Sequence, residues 1–147
     1  MDLFAYGTLM CPELLRALTG LRRAPFPARL EGYRRRCMVR TSYPGIAPCA
    51  GEGVEGVLYR ALPRTALGIL DAFEGAEYRR RILTVDLDGA GVSPALCYVL
   101  RPHALRCMRA EPWSLAHFRE RSLAALLPRA SRIRTSVRLG RGCARLA

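Results

Sequence analysis

Lysine, asparagine and glutamine do not occur in this chain. All 24 basic residues are arginine, set against 12 acids for a net charge of +12. Three residue types missing together reads as a codon bias of the genome, so arginine in place of lysine carries no message of its own. The sign of the charge does, because a basic surface attracts acidic small molecules, membranes or nucleic acid. No apolar run reaches the length needed to cross a bilayer. Met1-Asp2-Leu3-Phe4 lacks the positive start of a secretory signal. A cytoplasmic protein with no membrane partner is therefore expected. The six cysteines, at 11, 37, 49, 97, 107 and 143, include no Cys-x-x-Cys pair, so reduced thiols are expected. His103 and His117 lie far from any ligand-like cluster, and neither a metal nor a cofactor is expected. Glycine-rich phosphate loops and Ser–His or Cys–His arrangements are also absent.

What is present fits one domain of 147 residues, half of them hydrophobic. The charge is uneven along it. The last twenty residues hold six arginines (129, 132, 134, 138, 141 and 145) and no acid, so half of the excess belongs to them. We divide the chain into a domain over 1–127 and an arginine-rich tail over 128–147. The tail alternates with period two from Arg132 to Leu139, which permits an edge strand guarded by arginines. A disordered tail that binds nucleic acid is the competing expectation. Elsewhere a nucleic-acid face is disfavoured. The arginine triplets 34–36 and 79–81 fall on expected strands, where neighbours point to opposite faces.

The chain opens strand–loop–helix. Asp2–Tyr6 reads as a strand that Gly7 breaks. Pro12 and Glu13 suit a first helical turn, and Gly20 ends the helix. Strands are expected near 29–40, 54–61, 78–87 and 95–100, and helices over 63–73 and 111–127, with Pro128 closing the last. The glycine- and proline-rich segment 41–53 reads as loop. Strands and helices that do not alternate as strict βαβ units point to an α+β fold: a curled, barrel-like mixed sheet with helices outside.

Two segments carry the chemistry. In Tyr6-Gly7-Thr8-Leu9, a strand ending in a glycine turn before a helix offers N–H groups to a carboxylate or carbonyl oxygen. An ordinary strand–helix connection would have the same sequence. In Phe73-Glu74-Gly75-Ala76-Glu77-Tyr78, Glu74 falls in the last turn of a helix, facing the negative end of its dipole. That position, with desolvation by Phe73 and Tyr78, raises a carboxyl pKa toward the range of a general acid/base at neutral pH. The alternative is a surface glutamate paired with Arg79, Arg80 or Arg81. Asp71, three residues earlier on the same face, is a second site carboxylate or a structural acceptor. Tyr43-Pro44-Gly45-Ile46 is a tight turn that lines a pocket or serves only as a loop.

These segments occur in an order that resembles the gamma-glutamylcyclotransferase-like family, nearest its gamma-glutamylamine cyclotransferase group. The match runs through Phe4–Met10, Leu18-Thr19-Gly20, Leu30–Tyr33, Tyr43–Ile46, Val54–Tyr59, Leu70–Arg80 and the helix from Trp113 to Leu127. The resemblance implies a small mixed-sheet β-barrel with flanking helices. It implies that Glu74 is the acid/base, that Tyr6, Gly7, Thr8 and Leu9 grip a glutamyl unit, and that Tyr78 belongs to the pocket. The implied reaction needs no cofactor. The alpha-amine of a gamma-glutamyl amine or amino acid attacks its own gamma-carbonyl, giving 5-oxoproline and a free amine. The partner is then a small acidic gamma-glutamyl substrate, and the protein a monomer or homodimer. A non-catalytic small-molecule-binding relative of the same fold is the alternative. The first motif lacks the tryptophan-containing continuation of glutathione-specific relatives, which argues against glutathione.

Overall fold

A computed structural model of the chain describes residues 1–140. Five strands form a closed barrel in the order β1-β3-β2-β4-β5. They are β1 (Leu3–Ala5), β2 (Phe26–Cys37), β3 (Pro44–Tyr59), β4 (Tyr78–Asp86) and β5 (Val92–Leu100). All neighbouring pairs are antiparallel except β1 with β5, which meet at Leu3 and Leu96 and close the barrel. Four helices flank it: α1 (Pro12–Thr19), α2 (Arg64–Glu74), α3 (Leu115–Arg121) and α4 (Leu123–Arg138). The barrel with outer helices expected from the sequence is the fold observed.

Alternation along β5 shows how two cores share one strand. Ala95, Cys97 and Val99 point into the barrel with Phe4, Tyr6, Leu30, Ile46, Leu58 and Val85. Leu96, Tyr98 and Leu100 point outward, into a second core that Leu14, Leu18, Leu70 and Phe118 fill from the helices. A strand buried on both faces reads as a continuous apolar run, as β5 does.

Segment 41–53 is not the expected loop. From Pro44 onward it belongs to β3, paired with β2 from Tyr33↔Pro48 to Cys37↔Pro44. Gly45 and Gly53 satisfy packing rather than turning. A Cβ on Gly45 would collide with Leu100 and with the sulfur of Met38. The register shifts between Glu31 and Tyr33, where Gly32 has φ 77°, and this bulge bends β2 around the barrel. The last expected helix also starts later. Trp113 is buried ahead of α3, and Ser114 caps α3 by accepting the His117 amide at 3.2 Å.

The chain over 132–138 is helical, which overturns both the edge-strand and the disordered expectation there. Pro128 sits inside α4 and does not close a helix. Ile133 and Val137 satisfy a period of two and a helical repeat equally well. Burial decides between them: Leu123, Leu126, Ala130 and Ile133 make one buried face of α4, and Val137 packs against the same core. Two arginines of α4 reach the carbonyl end of α1, Arg134 to Arg16 O at 3.5 Å and Arg138 to Thr19 O at 3.3 Å. Cations belong at that end of a helix. The part of the expected tail beyond Gly140 lies outside the described residues.

Cys11, Cys37, Cys49, Cys97 and Cys107 are free thiols. Among the described residues no helix is long and apolar enough to cross a membrane, and no cluster of histidine, cysteine and carboxylate side chains could hold a metal ion.

Candidate active site

The site begins where β1 ends. Tyr6 keeps its ring inside the barrel and donates its hydroxyl to Tyr98 O at 2.7 Å; burial pushes its pKa well up. Beyond Gly7 the chain makes one 3-10 turn, Thr8–Met10. Every carbonyl of this loop is engaged. Tyr6 O accepts from Arg35 at 2.6 Å, Gly7 O from the Met10 amide at 2.9 Å, Thr8 O from the Cys11 amide at 3.1 Å and Leu9 O from the Tyr59 hydroxyl at 2.8 Å. The amides of Gly7, Thr8 and Leu9 have no acceptor among the described residues. The loop therefore offers donors and no acceptors, which suits an anion or a carbonyl oxygen.

Glu74 approaches this loop as the last residue of α2. Gly75, at φ 79°, lets the chain turn away at once. Glu74 makes no ion pair with Arg79, Arg80 or Arg81, so the surface-glutamate alternative does not hold. As a residue it is part-exposed, but its carboxyl lies deep enough that burial, with the Asp71 carboxylate adding to it, raises the pKa to about 8. Near neutral pH this carboxyl is mostly protonated.

Asp71, one turn earlier, lives in a different environment. Its Oδ1 accepts the Tyr98 hydroxyl at 2.8 Å and pairs with Arg80 Nε at 2.9 Å. Arg80 thus engages the Asp71 carboxylate, whereas Glu74 beside it has no cationic partner among the described residues. Two carboxylates on one helix face therefore meet different surroundings, Asp71 paired with an arginine and Glu74 buried without one among the described residues.

A cavity of about 20 Å³ joins Tyr6, Gly7, Thr8, Leu9 and Glu74, and Tyr43, Pro44 and Tyr98 complete its wall. The structure thus brings five of the six sequence-derived candidates together. Tyr78 stands apart from that cavity. It lines a neighbouring groove with Arg79, Arg80 and Arg101 and donates its hydroxyl to Pro44 O at 2.8 Å, so it holds the cover in place. Pro44 lies so close to Gly7 that a Cβ there would sit 2.7 Å from Pro44 Cγ. Tyr43 stacks edge-on against Phe73 at 6.1 Å. The Tyr43–Pro44 turn is therefore part of the wall. Sequence reasoning missed Tyr98 and Arg35. Tyr98 sits in an apolar strand and Arg35 in an arginine run, and neither local pattern marks a site.

Comparison with known proteins settles the family. A family model, gamma-glutamyl cyclotransferase, AIG2-like, matches residues 3–115. The chain belongs to this family. Family membership agrees with the resemblance read from the motifs, and the match includes both the Tyr6–Leu9 loop and Glu74. AIG2-like protein C of Arabidopsis thaliana is 36% identical over 88 residues, which is 58% of this chain and 50% of that protein. The chain spans about half the length of the plant relatives it matches. Among solved structures, a solution structure of an Arabidopsis thaliana protein superposes with a TM-score of 0.67 at 23% identity, covering 92% of this chain and 91% of the other. A structure described as gamma-glutamyl cyclotransferase superposes at 0.60 with 19% identity, covering 68% and 66%. At these identities the structures establish a shared fold.

Proposed function

We propose that the protein is a cyclotransferase that converts a gamma-glutamyl amine or gamma-glutamyl amino acid into 5-oxoproline and a free amine, with Glu74 as the acid/base. One observation carries the reading. A carboxyl with a pKa near 8 shares a cavity with three amides, and among the described residues the carboxyl has no cationic partner and the amides no acceptor.

The chemistry follows from what each group does. The Gly7–Leu9 amides hold the glutamyl unit by its oxygens and bend it so that the alpha-nitrogen meets the gamma-carbonyl carbon. Holding that conformer supplies several kcal/mol of the barrier. The substrate ammonium, placed beside Glu74, favours the carboxylate and draws its proton affinity down. Glu74 then takes a proton as the nitrogen attacks and returns it to the leaving nitrogen. Over the reaction the attacking nitrogen loses two protons, ending as a lactam N–H. The leaving nitrogen gains two, departing as an ammonium. A carboxyl poised near neutrality suits both transfers.

The cavity bears on the alternative. About 20 Å³ holds about one water, whereas ligand pockets span roughly 300–1,000 Å³. A glutamyl unit enters only if Tyr43 and Pro44 move, releasing the Tyr78 hydroxyl from Pro44. If they do not, the protein is a non-catalytic member of its fold. The test is a screen of gamma-glutamyl compounds for 5-oxoproline release by the wild type and Glu74→Gln, with binding measured in parallel. Release by the wild type alone supports the proposal. Binding without release by either protein supports the non-catalytic reading. Gly7→Val is a poor probe here, because its side chain meets Pro44 before it meets a ligand.

A further inference from the structure

A second cavity, of about 850 Å³, shares no lining residue with the Glu74 cavity. It lies between α1, the segment Arg22-Arg23-Ala24 and α4. Four arginines face it: Arg16 from α1, Arg22 and Arg23 from the segment, and Arg134 from α4. Glu13 is the one acid in its wall, and its carboxylate is taken by Arg119 outside the groove. Arg16, Arg22, Arg23 and Arg134 form no ion pair with an acidic side chain among the described residues. The rest of the wall includes apolar surface from Pro12, Ala17, Ala24 and Leu127.

We infer that this groove is a binding site for a small ligand bearing several phosphates on an apolar or planar body, of the nucleoside di- or triphosphate class. The charge argues for more than one anionic group. A single carboxylate answers one guanidinium and leaves three like charges facing one another. A run of phosphates answers several, and guanidinium groups match phosphate oxygens in paired hydrogen bonds. The volume argues for a discrete ligand, since it falls in the range of small-molecule pockets. One feature of the site opposes an anion: the carbonyl end of α1, which carries partial negative charge. Arg134 and Arg138 already occupy carbonyls there, at Arg16 O and Thr19 O, and offset it. The site exists because α4 continues through Pro128 and lays Arg134 across the end of α1.

The experiment is calorimetric titration of the full chain at physiological ionic strength with inorganic triphosphate, with ATP and with a short single-stranded RNA. Saturable one-to-one binding of triphosphate, tightened by the nucleoside of ATP, is expected. Arg22→Ala/Arg23→Ala should weaken it about tenfold or more. Both residues lie outside regular secondary structure, so the thermal midpoint should hold. Arg81→Ala/Arg106→Ala removes the same charge from exposed positions elsewhere and should change affinity little. Absence of saturable triphosphate binding overturns the inference. So does equal weakening in both double variants, which would mean general attraction by a basic protein. Binding of the RNA without the triphosphate overturns it in favour of an extended nucleic-acid surface.

Discussion

Glu74 sits at the end of α2 in a cavity of about 20 Å³, with no cationic partner among the described residues. Arg16, Arg22, Arg23 and Arg134 line about 850 Å³, and none of them pairs with an acidic side chain among the described residues. The chain has twice as many arginines as acids, yet none among the described residues pairs with the carboxyl buried at the site. In the small cavity the charge state is decided by desolvation, which makes ionisation costly and holds a proton near neutrality. In the wide groove water reaches the guanidinium groups and screens their repulsion. Burial makes a single group reactive. Openness lets several like charges coexist and makes them useful only to a ligand with matching charge.

The largest expected effect probes the buried side. Glu74→Gln should lower turnover of a gamma-glutamyl substrate by about 10²–10⁴-fold, the usual worth of a positioned acid/base, with ligand affinity little changed. Measured 5-oxoproline release near the wild-type rate would remove Glu74 from the mechanism.

Ile133→Ala attacks the groove through the helix that builds it. Truncating this buried side chain should cost about 2–4 kcal/mol, read from denaturant midpoints. If α4 is what creates the groove, triphosphate binding should weaken while the pH dependence of Glu74 stays put. Loss of both together would show that the two regions are not independent.

A third prediction concerns stability against pH. The folded pKa of Glu74, about 8, lies above the ordinary carboxylate value near 4.3. Between those limits the folded state binds more protons than the unfolded state, so wild-type stability should fall as pH rises from about 4 through 8. Glu74→Gln lacks this loss. The variant should match the wild type near pH 4 and exceed it at pH 9 by about 1–4 kcal/mol, checked by melting both proteins at each pH. A constant difference across that range would place the carboxyl in water.

The smallest effect dissects the cause. Asp71→Asn removes the neighbouring charge but leaves Glu74 buried. The apparent pKa in kcat/KM should drop by about one unit and no further, because desolvation is the larger cause. A return to an ordinary carboxylate value would reverse that ranking.

Much of this was legible in the sequence because it is local. Pro12, Glu13 and Gly20 mark both ends of α1, and Gly75 ends α2 immediately after Glu74, which fixes that residue at a helix terminus before any folding is known. The order of the motifs carried the family and hence the barrel. Other features were misread for one shared reason. Pro44, Gly45 and Gly53 carry turn chemistry, but β3 uses these two glycines where Leu100, Met38 and Arg29 pass too close for a side chain. Pro128 carries a stop signal, but the buried face of α4 outweighs one lost hydrogen bond. In each case a tertiary contact overrode a local preference worth about 1–3 kcal/mol.

The sequence by itself determined both ends of α1 and the presence of a carboxyl at the C-terminus of α2, since each depends on residues within a few positions of one another. Only the tertiary structure decided that the Tyr6–Leu9 loop has its carbonyls filled and its amides free, that Pro44 covers Glu74, and that arginines from two helices and the segment after α1 face one groove. Those facts depend on desolvation and on contacts between residues far apart in the chain, such as Arg16 and Arg134, 118 positions apart. No local pattern encodes how deeply a side chain will be buried or what will stand opposite it.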